Sequence, residues 1–303
     1  MDLPLVVGVD GSESAMRAVD WATDEAALRG LPLRLVYGSL WERYEGAALA
    51  DDLGRPAEQI VADRVVEAAA KRARRRNADV AITAEVLPED AVGLLLTEGF
   101  GATALVLGSR GRSGIAERLL GSVSRTVAAR AHCPVIVLRG SHDNQARAGR
   151  HQRVVLGVGD PAHGEEAVRF AFEEAARRGV PLEAVRAWRR PAVESTDHPL
   201  MSGEPARLHE QAAVDILDAA LHGATAARPG VEVHRRTVEG TARKVLLDAS
   251  ADADLLVVGV RRHDARGRTS LHLGRVAHAV LHHAACPVAV VPRQDRAPQS
   301  PAA

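Results

Sequence analysis

Short runs of continuous apolar residues recur along the chain, separated by longer stretches whose apolar positions follow helical spacing. In the first half, runs near 4–9, 32–38, 80–86, 103–108 and 134–138 read as strands. Stretches near 13–29, 56–77, 89–100 and 122–131 read as amphipathic helices. The strands are apolar throughout rather than alternating, which fits a parallel sheet covered on both faces. Strand–helix alternation with right-handed crossovers builds a doubly wound α/β layer structure. The helix starts agree with this reading. Ser12 and Ser122 are capping residue types, and Pro56 and Pro88 suit first helical turns.

The pattern then repeats. Leu5-Val6-Val7-Gly8-Val9 is answered by Val154-Val155-Leu156-Gly157-Val158, and each is followed by a helical stretch ending in Arg-Gly, at Gly30 and at Gly179. Leu31 to Val36 matches Val180 to Val185, Ala104 to Gly108 matches Asp254 to Gly259, and Cys133-Pro134-Val135 matches Cys286-Pro287-Val288. Five matches in one order, offset by 149 to 153 residues, amount to a duplication. The expected organisation is one unit over 1–140, a polar linker over 141–151, a second unit over 152–293 and a disordered tail over 294–303. The fifth strands, Pro134–Leu138 and Pro287–Val291, are too apolar to stand as free edges. They are expected to pair with each other, as an intramolecular pseudo-dimer, or with a second chain in a homodimer.

Composition narrows the class of protein. With 303 residues, each half is large enough to bury a core without a covalent staple. Two cysteines exclude a disulfide framework and favour a reducing compartment. A net charge of +0 gives no global field for nucleic acid or anionic lipid. No apolar run approaches the ~18 residues of a membrane span, and Met1-Asp2-Leu3-Pro4 lacks a basic leader. A cytoplasmic protein with neither membrane nor nucleic-acid partners is the expectation.

The candidate chemistry lies in two loops of the first half, at the carboxyl ends of strands, where open parallel sheets bind ligands. Asp10-Gly11-Ser12 follows the first strand, and Gly108-Ser109-Arg110-Gly111 follows the fourth, with nine residues between Gly111 and Gly121-Ser122. Glycines admit close approach of backbone to a polyphosphate, and a helix N-terminus offers it free N–H groups. Asp10 is placed to accept from ribose hydroxyls.

Val6-Val7-Gly8-Val9-Asp10-Gly11-Ser12, the Gly108 to Ser122 loop and His132-Cys133-Pro134-Val135 resemble the universal stress protein family, in its tandem arrangement. The resemblance implies five-stranded parallel sheets of order 3-2-1-4-5, of the adenine nucleotide alpha hydrolase-like type, one in each half. It also implies an ATP site, with or without Mg2+. In that site Asp10 would hold ribose, Val9 and Gly38 would line the adenine side, and Gly108, Gly111, Gly121, Ser122 and Val123 would cradle the phosphates. Roles in stress or growth control, dimerisation and a regulatory protein partner follow from the same resemblance.

The second half departs from the pattern. Gly159 stands where Asp10 does, with Asp160 one step late, and Val260-Arg261-Arg262-His263 replaces the glycine loop. Gly274 comes two residues late and precedes Arg275 rather than serine. That site reads as degenerate, with its arginines leaving open a rearranged anion site.

Other residues are set aside. His278 and His282 share a helix face at metal-ligand spacing, without a carboxylate or cysteine to complete a set. Cys133 and Cys286 read as small buried residues. Arg72 to Arg76 reads as a basic helix end. Trp41, Tyr44 and Trp188 read as loop aromatics over the site mouth. With no Gly-Lys-Ser/Thr sequence and no nucleophile–base pair, no catalytic residue is assigned, and hydrolysis is expected to be slow or absent. The reading is therefore an ATP-binding regulatory protein; the alternative is a nucleotide-independent interaction module of the same fold.

Overall fold

The computed structural model describes residues 2–40, 57–109, 120–139, 151–159, 164–190, 204–260 and 273–293. In the first half, β1 (Leu5–Gly8), α1 (Glu13–Arg29), β2 (Leu33–Gly38), α2 (Ala57–Arg76) and β3 (Ile82–Leu87) are followed by α3 (Ala91–Glu98), β4 (Ala104–Gly108), α4 (Ser122–Arg130) and β5 (Val135–Leu138). The second half repeats the order as β6 (Val154–Gly157), α5 (Glu165–Arg178), β7 (Leu182–Trp188), α6 (Glu204–Ala227), β8 (Val233–Glu239), α7 (Ala242–Ser250), β9 (Leu255–Val260), α8 (Arg275–His283) and β10 (Val288–Pro292). Of the expected linker, 141–150 lies outside the described residues, as does the whole tail 294–303.

Each half is a parallel sheet of order 3-2-1-4-5. The two are continuous, giving one ten-stranded sheet in the order β3-β2-β1-β4-β5-β10-β9-β6-β7-β8. The seam is antiparallel, with Val135, Ile136 and Val137 opposite Val290, Ala289 and Val288. Thus the two apolar fifth strands cover each other. All six seam residues are buried, as a central strand with helices on both faces requires.

The outer strands behave otherwise. Along β3, residues 82–85 alternate between half-buried and exposed, and in β8 His234, Arg235 and Arg236 are exposed. The expectation of continuous apolar strands therefore fails at both edges, where charged side chains protect unpaired backbone from a further strand.

Two helix starts differ from expectation. α3 begins at Ala91, capped by Asp90, whose carboxylate accepts from the N–H groups of Val92 and Gly93; Pro88 lies before the helix. α4 has Gly121 as its cap residue, and Ser122 is the first residue within the helix rather than its cap. Ser12 does cap α1, accepting from the N–H of Ala15 at 3.2 Å. Trp188 ends β7 instead of lying in a loop, while Trp41 and Tyr44 fall outside the described residues.

On one face of the sheet, α1 and α5 meet over the seam. Each contributes an aromatic residue, a glutamate and an arginine at the 149-residue offset: Trp21, Glu25 and Arg29, then Phe170, Glu174 and Arg178. Arg29 donates to Glu25 at 2.5 Å and to Glu174 at 2.6 Å. Arg178 donates to Glu25 at 2.7 Å and to Glu174 at 2.9 Å. Arg29 lies over the Phe170 ring and Arg178 over the Trp21 ring, so each cation is held by both halves. Both carboxylates are fully buried.

Burial pushes the Glu25 carboxyl up, but Arg178 and Arg29 outweigh it and hold the group at about 2. Glu174 is pushed up to about 7, first by burial and then by the neighbouring Glu25 charge, to which its protonated carboxyl donates a hydrogen bond. The two groups act on stability in opposite directions. The Glu25 contribution is present above the ordinary 4.5 and is lost as pH falls toward 2; that of Glu174 is present below 4.5 and is lost as pH rises to about 7.

The expected result is a thermal midpoint that falls between pH 5 and pH 8, with the fall flattened in Glu174→Gln, as scanning calorimetry across that range can check. Removing Arg29 leaves two buried carboxyl groups to share the Arg178 guanidinium at the centre of the set. Arg29→Met is therefore expected to cost about 3–5 kcal/mol in urea unfolding, since breaking one side of a buried ion pair costs far more than replacing the whole set.

Candidate functional site

At the carboxyl ends of β1 and β4 the first half opens into a cleft of about 230 Å³. Its shape follows from local geometry. The N–H of Val9 donates to the carbonyl of Val36 at 3.0 Å, which carries β1 pairing one residue past the strand and fixes where the chain turns away. Gly11 makes that turn at φ +81°, a conformation open to glycine, and a Cβ there would strike Val65 at 2.9 Å. Asp10 is pinned by the same turn. Its Oδ1 accepts from the Ser12 N–H at 2.9 Å and from the Ser12 hydroxyl at 2.6 Å, so the carboxylate is oriented before any ligand arrives.

The opposite wall is the start of α4. The N–H of Gly121 donates to the carbonyl of Ser109 at 2.8 Å, and the Ser124 hydroxyl donates to the carbonyl of Gly108 at 2.7 Å. These two bonds moor the helix to the end of β4. The cap residue, Gly121, has no side chain to accept from this helix, so the amides of its first turn and its positive dipole end face the cleft. Gly108 is required for a different reason than phosphate approach: a Cβ there would lie 2.5 Å from the Ser14 hydroxyl and 2.8 Å from the Ala15 nitrogen. Its missing side chain lets α1 pack against β4.

The cleft is lined by Val9, Asp10 and Gly38 on one side and by Gly108, Gly121, Ser122 and Val123 on the other. Seven of the eight residues singled out in the sequence therefore meet in one cavity. The eighth, Gly111, lies in 110–119, outside the described residues. At Gly38 a Cβ would lie 2.7 Å from the Glu89 carbonyl, so glycine here admits the turn that leads into α3. Sequence reasoning missed Ser124, whose buried hydroxyl holds Gly108; the Ser-x-Ser spacing after Gly121 was the available signal. It also missed the apolar floor supplied by Leu94 and Leu95 of α3.

The residues set aside have structural explanations. Arg72 and Arg76 of α2 make two-pronged pairs with Asp20 and Asp24 of α1, at 2.6–2.8 Å, so the basic run bolts two helices together. Burial pushes the Cys133 thiol up to about 11 and that of Cys286 to about 12, which leaves both unreactive at neutral pH. The rings of His278 and His282 stack 4.3 Å apart, and among the described residues no group of three or more ligating side chains could hold a metal. No helix among them is long and apolar enough to cross a membrane.

Comparison with known proteins agrees with the duplicated architecture. The family model described as the universal stress protein family matches twice, over residues 3–139 and 150–292. The universal stress protein Rv2005c of Mycobacterium tuberculosis is 36% identical over 96% of this chain and 97% of its own length. Rv2623 of the same organism, also named a universal stress protein, is 32% identical over 95% and 96%. Among solved structures, a universal stress protein from Archaeoglobus fulgidus superimposes with a TM-score of 0.66 at 20% identity, covering 96% of this chain and 98% of that one. With two copies of the family model spanning nearly its whole length, the chain belongs to the universal stress protein family.

Proposed function

We propose that the first cleft binds ATP and that the protein acts as a nucleotide-dependent regulator, with hydrolysis slow or absent. One observation carries this reading: an oriented carboxylate, Asp10, and an uncapped helix N-terminus, Gly121–Ser122, line the same cleft over an apolar floor. Such a cleft has complementary ends for an adenine nucleotide. The carboxylate accepts from ribose hydroxyls, the floor near Val9, Val36 and Gly38 takes the flat base, and the helix amides receive phosphate oxygens. The family membership supports a role in stress or growth control, exerted through a regulatory protein partner in the cytoplasm.

The lining also bears on catalysis. Asp10 is the only titratable side chain among the described residues of the cleft, and no lysine, arginine or histidine accompanies it there. Its Oδ1 is engaged by Ser12, which supports a binding role over that of a base for water. Fast phosphoryl transfer needs charge stabilisation on the transferring group as well as a positioned nucleophile. Mg2+ would reach this site with the triphosphate, as its counter-ion.

Denaturing extraction of the purified protein followed by nucleotide chromatography is the direct test, with ATP expected at about one per chain if the first cleft alone is filled. Asp10→Ala is expected to weaken ATP binding by about 10- to 100-fold, the worth of charge-assisted hydrogen bonds. Gly121→Asp separates fold from function. Gly121 has φ −62° and ψ 150°, a capping conformation that aspartate adopts well, so the variant is expected to melt higher while losing the nucleotide. Failure of the wild type to retain or take up ATP would favour a nucleotide-independent interaction module.

A further inference from the structure

The second half keeps the cleft but not its chemistry. A cavity of about 200 Å³ lies at the carboxyl ends of β6 and β9, and its backbone matches the first. The N–H of Val158 donates to the carbonyl of Val185 at 2.9 Å, as that of Val9 does to Val36, and Gly274 starts α8 as Gly121 starts α4. The side chains differ at each polar point. Gly159 replaces Asp10, Ala187 replaces Gly38, Ala277 replaces Ser124, and Arg275, which does not line the cavity, stands at the position of Ser122. Every described residue lining the cavity is glycine, alanine, valine or leucine.

Two main-chain oxygens at the edge of the cavity are engaged. Arg186 donates to the carbonyls of Val158 and Gly159 at the exit of β6. Among the described residues lining the cavity, a nucleotide would find no carboxylate for its ribose. A cavity walled by apolar side chains takes apolar guests. One of about 150 Å³ accepts a benzene ring.

We infer that the second cleft is a binding site for a small apolar molecule of single-ring size, chemically distinct from the nucleotide proposed for the first. Val185, Leu246 and Val258 give it its walls, and Ala187 and Ala277 supply methyl groups where the first cleft has a glycine and a hydroxyl. The assignment stands on this cavity alone and does not depend on ATP binding in the other half.

Fluorobenzene, followed by its fluorine NMR line width against the full-length protein, is the probe. Saturable binding is expected with a Kd of about 1 mM or tighter. Ala187→Phe puts a ring into the cavity and is expected to abolish it. Gly159→Asp restores the carboxylate of the first half at a position where a Cβ meets nothing within 4 Å. This variant keeps the fold and is expected to weaken binding at least about fivefold, because the charge must lose water beside an apolar guest. Saturating ATP is expected to leave the fluorobenzene affinity unchanged. The inference is overturned by non-saturable broadening in the wild type, by equal affinity in both variants, or by displacement with ATP.

Discussion

Two carboxylates and two guanidinium groups, shut away from water where α1 meets α5, determine how the rest of the molecule is put together. Burying a set of ionisable groups is tolerable only when each is met by the others at hydrogen-bond distance. Glu25 and Glu174 satisfy that condition only with both Arg29 and Arg178 in place. The two halves are thus docked in one register. The β5–β10 seam, three residue pairs long, gains from the helices above it a specificity that its own valines and alanines lack. The same helices begin at the two clefts, α1 beside Asp10 and α5 at Gly164. Each cleft is therefore joined to the contact between halves by a single rigid element.

Duplication left two cavities of similar size on nearly identical backbones, and the difference between them is made by very few atoms. The pairing that sets the mouth, the glycine before the second wall and the valine after it are present in both. Among the described residues the changes include the loss of the Asp10 carboxylate and of the Ser122 and Ser124 hydroxyls, and the gain of a methyl at Ala187. Backbone geometry places the cavity in such a fold, while a few side chains set its polarity.

Much of this was legible in the sequence because repetition and glycine spacing report backbone demands directly. Asp10, Gly108 and Gly121 stood out since their loops must turn or approach closely, and the structure joins them in one cleft. The apolar fifth strands announced a buried edge, though not whether their partner lay in the same chain. Ser122 and Pro88 misled at the helix starts because capping types are common in loops, and the actual caps, Gly121 and Asp90, depend on where the preceding strand releases the chain. Glu25-x3-Arg29 and Glu174-x3-Arg178 were visible as ordinary i,i+4 pairs. Nothing in their spacing distinguishes a solvated pair from a buried one, since that depends on a contact across 149 residues.

An antiparallel seam between two parallel sheets sends the strands of one half in the opposite direction to those of the other. Since each cleft opens at strand carboxyl ends, the mouths lie at opposite poles of the molecule. A partner of ordinary interface size, covering about 800 Å² of this surface, reads one pole and leaves the other free. Traffic at one mouth does not obstruct the other, and whatever passes between them goes through the interior.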